Sequence, residues 1–410
     1  MNKSLKLFFV FGVALLFFTS LISVDAEYNV KVAFIGDQGI NDNAKAVLNL
    51  IKNENASMVL HLGDFDYLDN ASAWDNQINN ILGENFPYFA LLGNHDNKEG
   101  YINLYQEKMR NRLNRIGNNT CKGILGIKSS CNYKGISFIL SAIGLEESGH
   151  ESYIKNELSN SNATWKICAW HMNQRLMQTG DNGEDRVGWD VYDECRKQGA
   201  IISTAHDHAY SRTYLMNNFG TQEIASTSNT LKISKGKTFA FVSGLGGESI
   251  VPQYDELASN NWWASLYNSK QNANYGALFC IFNIDGIEGK AYCYFKNING
   301  NIPDKFNLIM DVNNTIILDD DLTKSIQFYN ITKGDLLNTT FNLIINISEG
   351  NFNSSDINIT KYRKENFIKF NETNVSENSV QVKIQFSNDI YYIESNLTNT
   401  NFNALIEFYY

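Results

Sequence analysis

Five times between Val30 and His208, a short apolar run stops at a carboxylate, an amide or an imidazole. Such runs read as buried strands, and a polar residue at the C-terminal end of a strand points into the crevice where α/β sheets bind ligands. The stretch His61-Leu62-Gly63-Asp64-Phe65-Asp66-Tyr67 is the most constraining of the five. It follows the strand-like Ser57-Met58-Val59-Leu60, and Tyr67 lies three residues past Asp64. Both side chains can turn onto one centre.

The spacing predicts strands over 29–35, 57–60, 88–92, 136–142, 165–170, 200–205 and 238–243, and a hairpin over 277–295. It predicts helices over 43–51, 73–82, 101–116, 151–158 and 191–197. Strand and helix alternate, then hairpins follow, so the expected fold class is α/β with a mixed sheet and one site along its strand ends. Near Lys305 the composition changes: residues 305–410 hold neither Cys nor Pro and are rich in Asn. Alternating runs at Phe341–Ile347 and Val380–Phe386 predict short strands and a smaller all-β sandwich module. The expected division is a signal peptide over 1–26, a catalytic domain over 27–304 and this module over 305–410.

Lys3 and Lys6 precede an apolar run from Leu7 to Phe18, and Val24-Asp25-Ala26 suits a signal peptidase. The expectation is cleavage after Ala26, with an uncleaved N-terminal anchor as the alternative; either way the rest is exported, to the medium or the cell surface. No long apolar run closes the chain, so no stable membrane span is expected after cleavage. Export permits disulfides. Six cysteines allow fifteen connectivities. Pairing neighbours joins Cys121 to Cys131 and Cys280 to Cys293. It leaves Cys168 and Cys195, where a buried free thiol at Cys168 is an equal alternative. Asn-x-Ser/Thr triplets recur at Asn313, Asn330, Asn338, Asn346, Asn353, Asn358, Asn371, Asn374 and Asn396, so a glycoprotein is expected. The module is assigned a cell-surface or glycan contact.

A net charge of −10 argues against nucleic-acid binding, which normally shows a basic face. It would also repel a phosphorylated substrate unless bound cations reverse the local field. The strand-end residues Asp37, Asp64, Tyr67, Asn94, His95, His171, His206 and His208 supply the means, since four of the six histidines are among them. A phenolate favours a hard trivalent ion, whereas amide oxygen and imidazoles suit a divalent one. A shared carboxylate holds two ions at the separation that phosphoryl transfer uses.

Gly36-Asp37, Gly63-Asp64-Phe65-Asp66-Tyr67, Gly93-Asn94-His95-Asp96, His171 and His206-Asp207-His208 resemble the motif blocks of the purple acid phosphatases, a branch of the calcineurin-like metallophosphoesterases. Ala209-Tyr210-Ser211-Arg212 and Ser243-Gly244-Leu245-Gly246-Gly247 add to the likeness, which runs over about residues 28–300. The resemblance implies an α/β/β/α sandwich and an acid phosphatase using two ions, Fe(III) and a divalent Fe, Zn or Mn. Asp37, Tyr67 and His208 would bind the first ion. Asn94, His171 and His206 would bind the second, and Asp64 would bridge them. The resemblance implies hydrolysis of phosphate monoesters by a metal-bound hydroxide, with His95 facing the substrate as the catalytic residue. A phosphodiesterase or nucleotide pyrophosphatase using the same site is the alternative enzyme. A cell-surface binding protein with incidental activity is the alternative outside enzymes.

The chain departs from the family pattern around His171. Cys168-Ala169-Trp170-His171-Met172-Asn173 replaces Val-x-Gly-His-Tyr-Pro, and the region Met177–Asp181 lacks the family's further His. Ala205 stands where Gly is usual. His61 is expected to pack near the site, and His150 to sit at a helix start. Asp66 and Asp207 are expected to bond ligands or backbone.

Overall fold

A computed structural model describes residues 29–310, apart from 118–119 and 181–185, and beyond 310 the backbone of separate strands. In chain order the elements begin with β1 (Val30–Ile35), α1 (Asp42–Asn53), β2 (Met58–His61), α2 (Ala71–Ile81), β3 (Tyr88–Ala90) and α3 (Ile102–Ile116). There follow β4 (Cys121–Ile124), β5 (Lys128–Tyr133), β6 (Ile136–Ser141), α4 (His150–Ser159), β7 (Trp165–Trp170), α5 (Trp189–Lys197) and β8 (Ile201–Thr204). The rest are β9 (Tyr210–Thr213), β10 (Leu215–Asn218), β11 (Glu223–Ser226), β12 (Thr230–Ile233), β13 (Ala240–Ser243), α6 (Asp255–Ala258), β14 (Trp263–Tyr267), β15 (Gly276–Phe282), β16 (Lys290–Asn297) and β17 (Asp304–Met310).

The strands form two large mixed sheets. One has the order β12-β17-β16-β15-β1-β2-β3, the other β14-β9-β13-β8-β7-β6-β5-β4. Strand β1 shows how they stack. Its side chains alternate between faces, as in any strand. Val30, Val32 and Phe34 join Phe138, Leu140, Ile167 and Phe241 of the other sheet in one buried cluster. Phe34 meets Phe241 edge to face at 5.1 Å between ring centroids. Ala33 and Ile35 turn the other way, onto Val47 and Leu48 of α1 and Trp74 of α2. The second sheet repeats the pattern, with Cys168, Trp170 and Ile202 packing on Ile154 of α4 and Tyr192 of α5. The result is helices, sheet, sheet, helices. Both faces of the inner strands are covered, which explains their mostly apolar sequences, broken in β1 and β7 only by the half-buried Lys31 and Lys166.

Asn41 and Asn70 start α1 and α2 by accepting from the Ala44 and Ala73 backbone N–H groups. All three disulfides of the neighbour-pairing scheme are formed: Cys121–Cys131, Cys168–Cys195 and Cys280–Cys293. Two of them join residues directly opposite each other on adjacent strands. The Cys168–Cys195 bridge ties α5 to β7, so Cys168 is no free thiol.

The first sheet continues past the expected domain boundary. Strand β17 begins at Asp304 and pairs with both β16 and β12, so the sheet runs to Met310. Beyond it, Asn342–Ile345 and Ser379–Phe386 are strands, as the alternating runs predict. The signal-peptide segment 1–26 and the side chains of 311–410, with all nine glycosylation triplets, lie outside the described residues. Among the described residues, no helix is long and apolar enough to cross a membrane.

Candidate metal centre

Strands β1, β2 and β3 run parallel, as do β6, β7, β8 and β13. The loops after β1, β2, β3, β7 and β8 carry all eight singled-out residues. They come together because the backbones nearly touch. An added Cβ at Gly93 would lie 2.1 Å from Asp64 Oδ1, and one at Gly36 would lie 2.3 Å from the Ala205 Cβ. Glycine before the functional residue is therefore required at both places, and the unusual Ala205 is accommodated by the bare face of Gly36.

Asp37, Asp64, Tyr67 and His206 have φ of 57°, 59°, 59° and 69°. Left-handed backbone at non-glycine residues costs about 1–3 kcal/mol each and persists only where the surroundings hold it. Here backbone and buried carboxylates do so. Asp37 N–H donates to the Gly63 carbonyl and Gln38 N–H to the Asp64 carbonyl. Asp96, fully buried, accepts from the N–H groups of Asp64, Phe65 and Gly93, locking the second loop to the third. Asp66 accepts from Leu68 N–H, Asn70 N–H and the Tyr105 hydroxyl. Asp207 accepts from Thr179 and Gly180. These two aspartates do the structural work expected of them. Asp96 was visible in the motif, but nothing in its spacing revealed three backbone donors converging on it.

Asp37 Oδ1 is the focus of one group of donors. The Tyr67 hydroxyl is 3.2 Å from it and His208 Nε2 is 3.4 Å from it, with 3.1 Å between those two. A second group gathers on His171 Nε2, with Asn94 Oδ1 at 3.0 Å and Asp64 Oδ2 at 3.4 Å. The groups adjoin, since His171 Nε2 is 4.0 Å from Asp37 Oδ1. Single ligand atoms of Asp37, Asp64 and His171 all lie within 4.8 Å of one another. The His206 ring centroid stands 5.2 Å from that of His171, and the His206 backbone N–H donates to Asp37 Oδ2. His171 Nδ1 pairs with the Leu62 carbonyl at 2.8 Å and His208 Nδ1 with the Ser249 hydroxyl at 2.6 Å. A ring whose far nitrogen is so engaged presents Nε2 to a metal. Ser249 lies just past the glycine-rich segment Ser243–Gly247.

His95 differs from the others. Its backbone N–H donates to Asp64 Oδ1, while its exposed imidazole rests on the Tyr67 ring at 4.5 Å between centroids. It stands at the mouth rather than in the ligand cluster. His61 is packed among Phe65, Trp74 and Tyr88, and its burial pushes the imidazole pKa down to about 3. His150 opens α4, held by the Ser141 hydroxyl and the Glu146 carbonyl.

The electrostatics ask for a cation. Burial, then the Asp37 and Asp64 charges, drive the Tyr67 phenol far above its ordinary range, so only a strong positive charge there makes it a phenolate. Burial opposes a charge on His171, but the Asp64 and Asp37 carboxylates raise its pKa to about 9. A pH dependence follows. A metal binding at Nε2 must displace that proton, so metal affinity is expected to climb about tenfold per pH unit towards pH 9 and then level. Proton release on metal addition checks this. In the metal-free protein the sign is opposite for stability. The folded pKa exceeds the unfolded one, so the imidazolium stabilises fully below pH 6.5 and its contribution is lost as pH rises through about 9.

The calcineurin-like phosphoesterase family model matches residues 30–210, the segment bearing the seven candidate metal ligands and His95. No curated protein matches the sequence. Among solved structures the chain is similar to a purple acid phosphatase, PPD1, isolated from yellow lupin (Lupinus luteus) seeds, with 16% identity and a TM-score of 0.54. The match covers 70% of this chain and 55% of that one, so this chain spans little over half of the lupin enzyme's length. GAP50, the anchor in the inner membrane complex of Plasmodium, is 14% identical over 70% of this chain and 90% of its own, with a TM-score of 0.46. PhoD is 12% identical over 68% and 72%, with a TM-score of 0.44. Neither of these last two bears on the function argued below. The family signature thus falls on the segment 30–210, and the lupin structure shows the same fold. The lupin likeness adds the fold of a purple acid phosphatase, not its substrate.

Proposed function

We propose that this chain is an exported acid phosphatase of the purple type, acting on phosphate monoesters with Fe(III) and a divalent Fe, Zn or Mn. The observation that carries the reading is the pair of adjoining donor groups with Asp64 beside them. A phenol, an imidazole and a carboxylate converge on one side, and an amide oxygen and the His171 imidazole on the other. That division of hard and borderline donors fits one trivalent and one divalent ion. Asp37, Tyr67 and His208 would hold the first, and Asn94, His171 and His206 the second, with Asp64 shared.

When bound, the ions would supply positive charge to the phosphoryl oxygens and lower the pKa of water. The chain's own residues do the rest. The Leu62 carbonyl and Ser249 orient the His171 and His208 rings. Asp96 fixes the loop of Asp64 against that of Asn94. His95, at the mouth, hands a proton to the leaving alkoxide or supports the phosphoryl oxygens. Three disulfides support export to an oxidising compartment, as secretion or display at the cell surface would provide.

Comparing turnover of a monoester and a diester aryl phosphate tests the substrate class. Faster monoester hydrolysis is expected. A clear preference for the diester would make the chain a phosphodiesterase. Absence of turnover in the metal-loaded protein from pH 4 to 8 would favour a binding role.

A further inference from the structure

The loop holding His206 closes a three-residue turn. Asp207 N–H donates to the Ala205 carbonyl at 2.8 Å, two residues back, across a residue with φ of 69°. That is a γ-turn of the rare, strained positive-φ kind. Its stability must come from outside the turn. Asp37 Oδ2 takes the His206 N–H at 3.0 Å, which holds one side. The other side is held by Asn173, whose side-chain amide donates to the same Ala205 carbonyl. Asn173 is fully buried, and its own oxygen accepts from the Tyr192 hydroxyl of α5 at 3.3 Å.

Asn173 stands where the resembled motif has Pro, and Ala205 where it has Gly. A proline could not donate to Ala205. The two departures touch each other and form one device. We propose that Asn173, backed by Tyr192, is a positioning residue that sets His206 for the divalent ion and so fixes how tightly that ion alone is held. The inference rests on the two-ion reading above. It concerns one half of the site, because Asn173 itself bonds neither Asp37, Tyr67 nor His208 among the described contacts, and the turn's link to the first group is through Asp37 Oδ2, not the Oδ1 on which Tyr67 and His208 gather.

The test uses the full chain loaded with both ions and dialysed against graded free zinc, with bound zinc and iron counted by elemental analysis. Asn173→Asp keeps the shape but puts an oxygen against the Ala205 carbonyl. Zinc half-saturation is expected to rise about 10- to 100-fold, the range for groups that orient a ligand, with bound iron unchanged. Unchanged zinc binding, or loss of both ions together, overturns the inference. Should Asn173→Asp fail to fold, Tyr192→Phe decides. It removes the hydroxyl that donates to Asn173 and accepts the neighbouring Gln174 N–H, and a smaller rise in zinc half-saturation with iron retained is expected; no rise overturns the proposal. An unmodified protein that takes up fewer than two ions fails the two-ion reading itself, and this inference with it.

Discussion

Replacing His95 by alanine is expected to cut phosphoester turnover by roughly 10²- to 10⁴-fold, the range for losing a general acid or base. Metal content should stay intact. The reason is placement: the imidazole is exposed at the mouth and meets only the ring face of Tyr67, away from its oxygen's partners, while the backbone N–H of His95 donates to Asp64. That backbone bond survives the substitution. The loss should be larger for poor leaving groups, which need a proton, than for nitrophenolate, which does not. Tyr67→Phe should behave in the reverse way. It removes the phenol oxygen near Asp37 and His208 with little change of shape, so charge-transfer colour should vanish while activity falls less. Steady-state kinetics on two leaving groups, with elemental analysis of both variants, checks the pair. Metal loss in His95→Ala, or colour kept in Tyr67→Phe, would reverse the two roles.

The second large effect is on stability. Arg212 of β9 donates through Nε and Nη2 to Asp304 of β17, at 2.7 and 3.0 Å, and the Tyr210 hydroxyl donates to the same carboxylate at 2.7 Å. Arg212 also lies over the Phe306 ring at 4.1 Å. All these residues are buried, and they join the two sheets. Asp304→Ala strands the guanidinium without a counter-charge, which costs about 3–5 kcal/mol. Denaturant unfolding of the full chain should show the midpoint falling accordingly. Arg212→Met with Asp304→Leu together should cost much less, since no lone charge is left. A chain stopped before Asp304 loses β17 with the ion pair and should not fold stably, whereas one stopped after Met310 keeps the first sheet whole.

The local sequence carried the strand–helix alternation well, because strands buried on both faces must be apolar throughout. Ala240–Ser243 and Gly276–Phe282 come nearest to this. Strands β4, β5, β9 to β12 and β14 were not legible. They are short, and residues such as Ser211, Arg212 and Thr213 are buried only because of tertiary partners such as Asp304. Strand β17 was missed for the same reason: the composition break at Lys305 falls inside it. Site residues declared themselves by type and strand-end position. Their support did not. Asp96, Asn173 and Ser249 act through backbone groups or ring nitrogens of residues distant in sequence, and no spacing rule reports such contacts.

The most direct test of the account is the number of metal ions per chain in the purified protein, counted by elemental analysis after dialysis against buffer containing iron and zinc. Two ions per chain, one of them iron, is the expected count, from donors divided between Asp37 Oδ1 and His171 Nε2 with Asp64 beside both. One ion or none would contradict it.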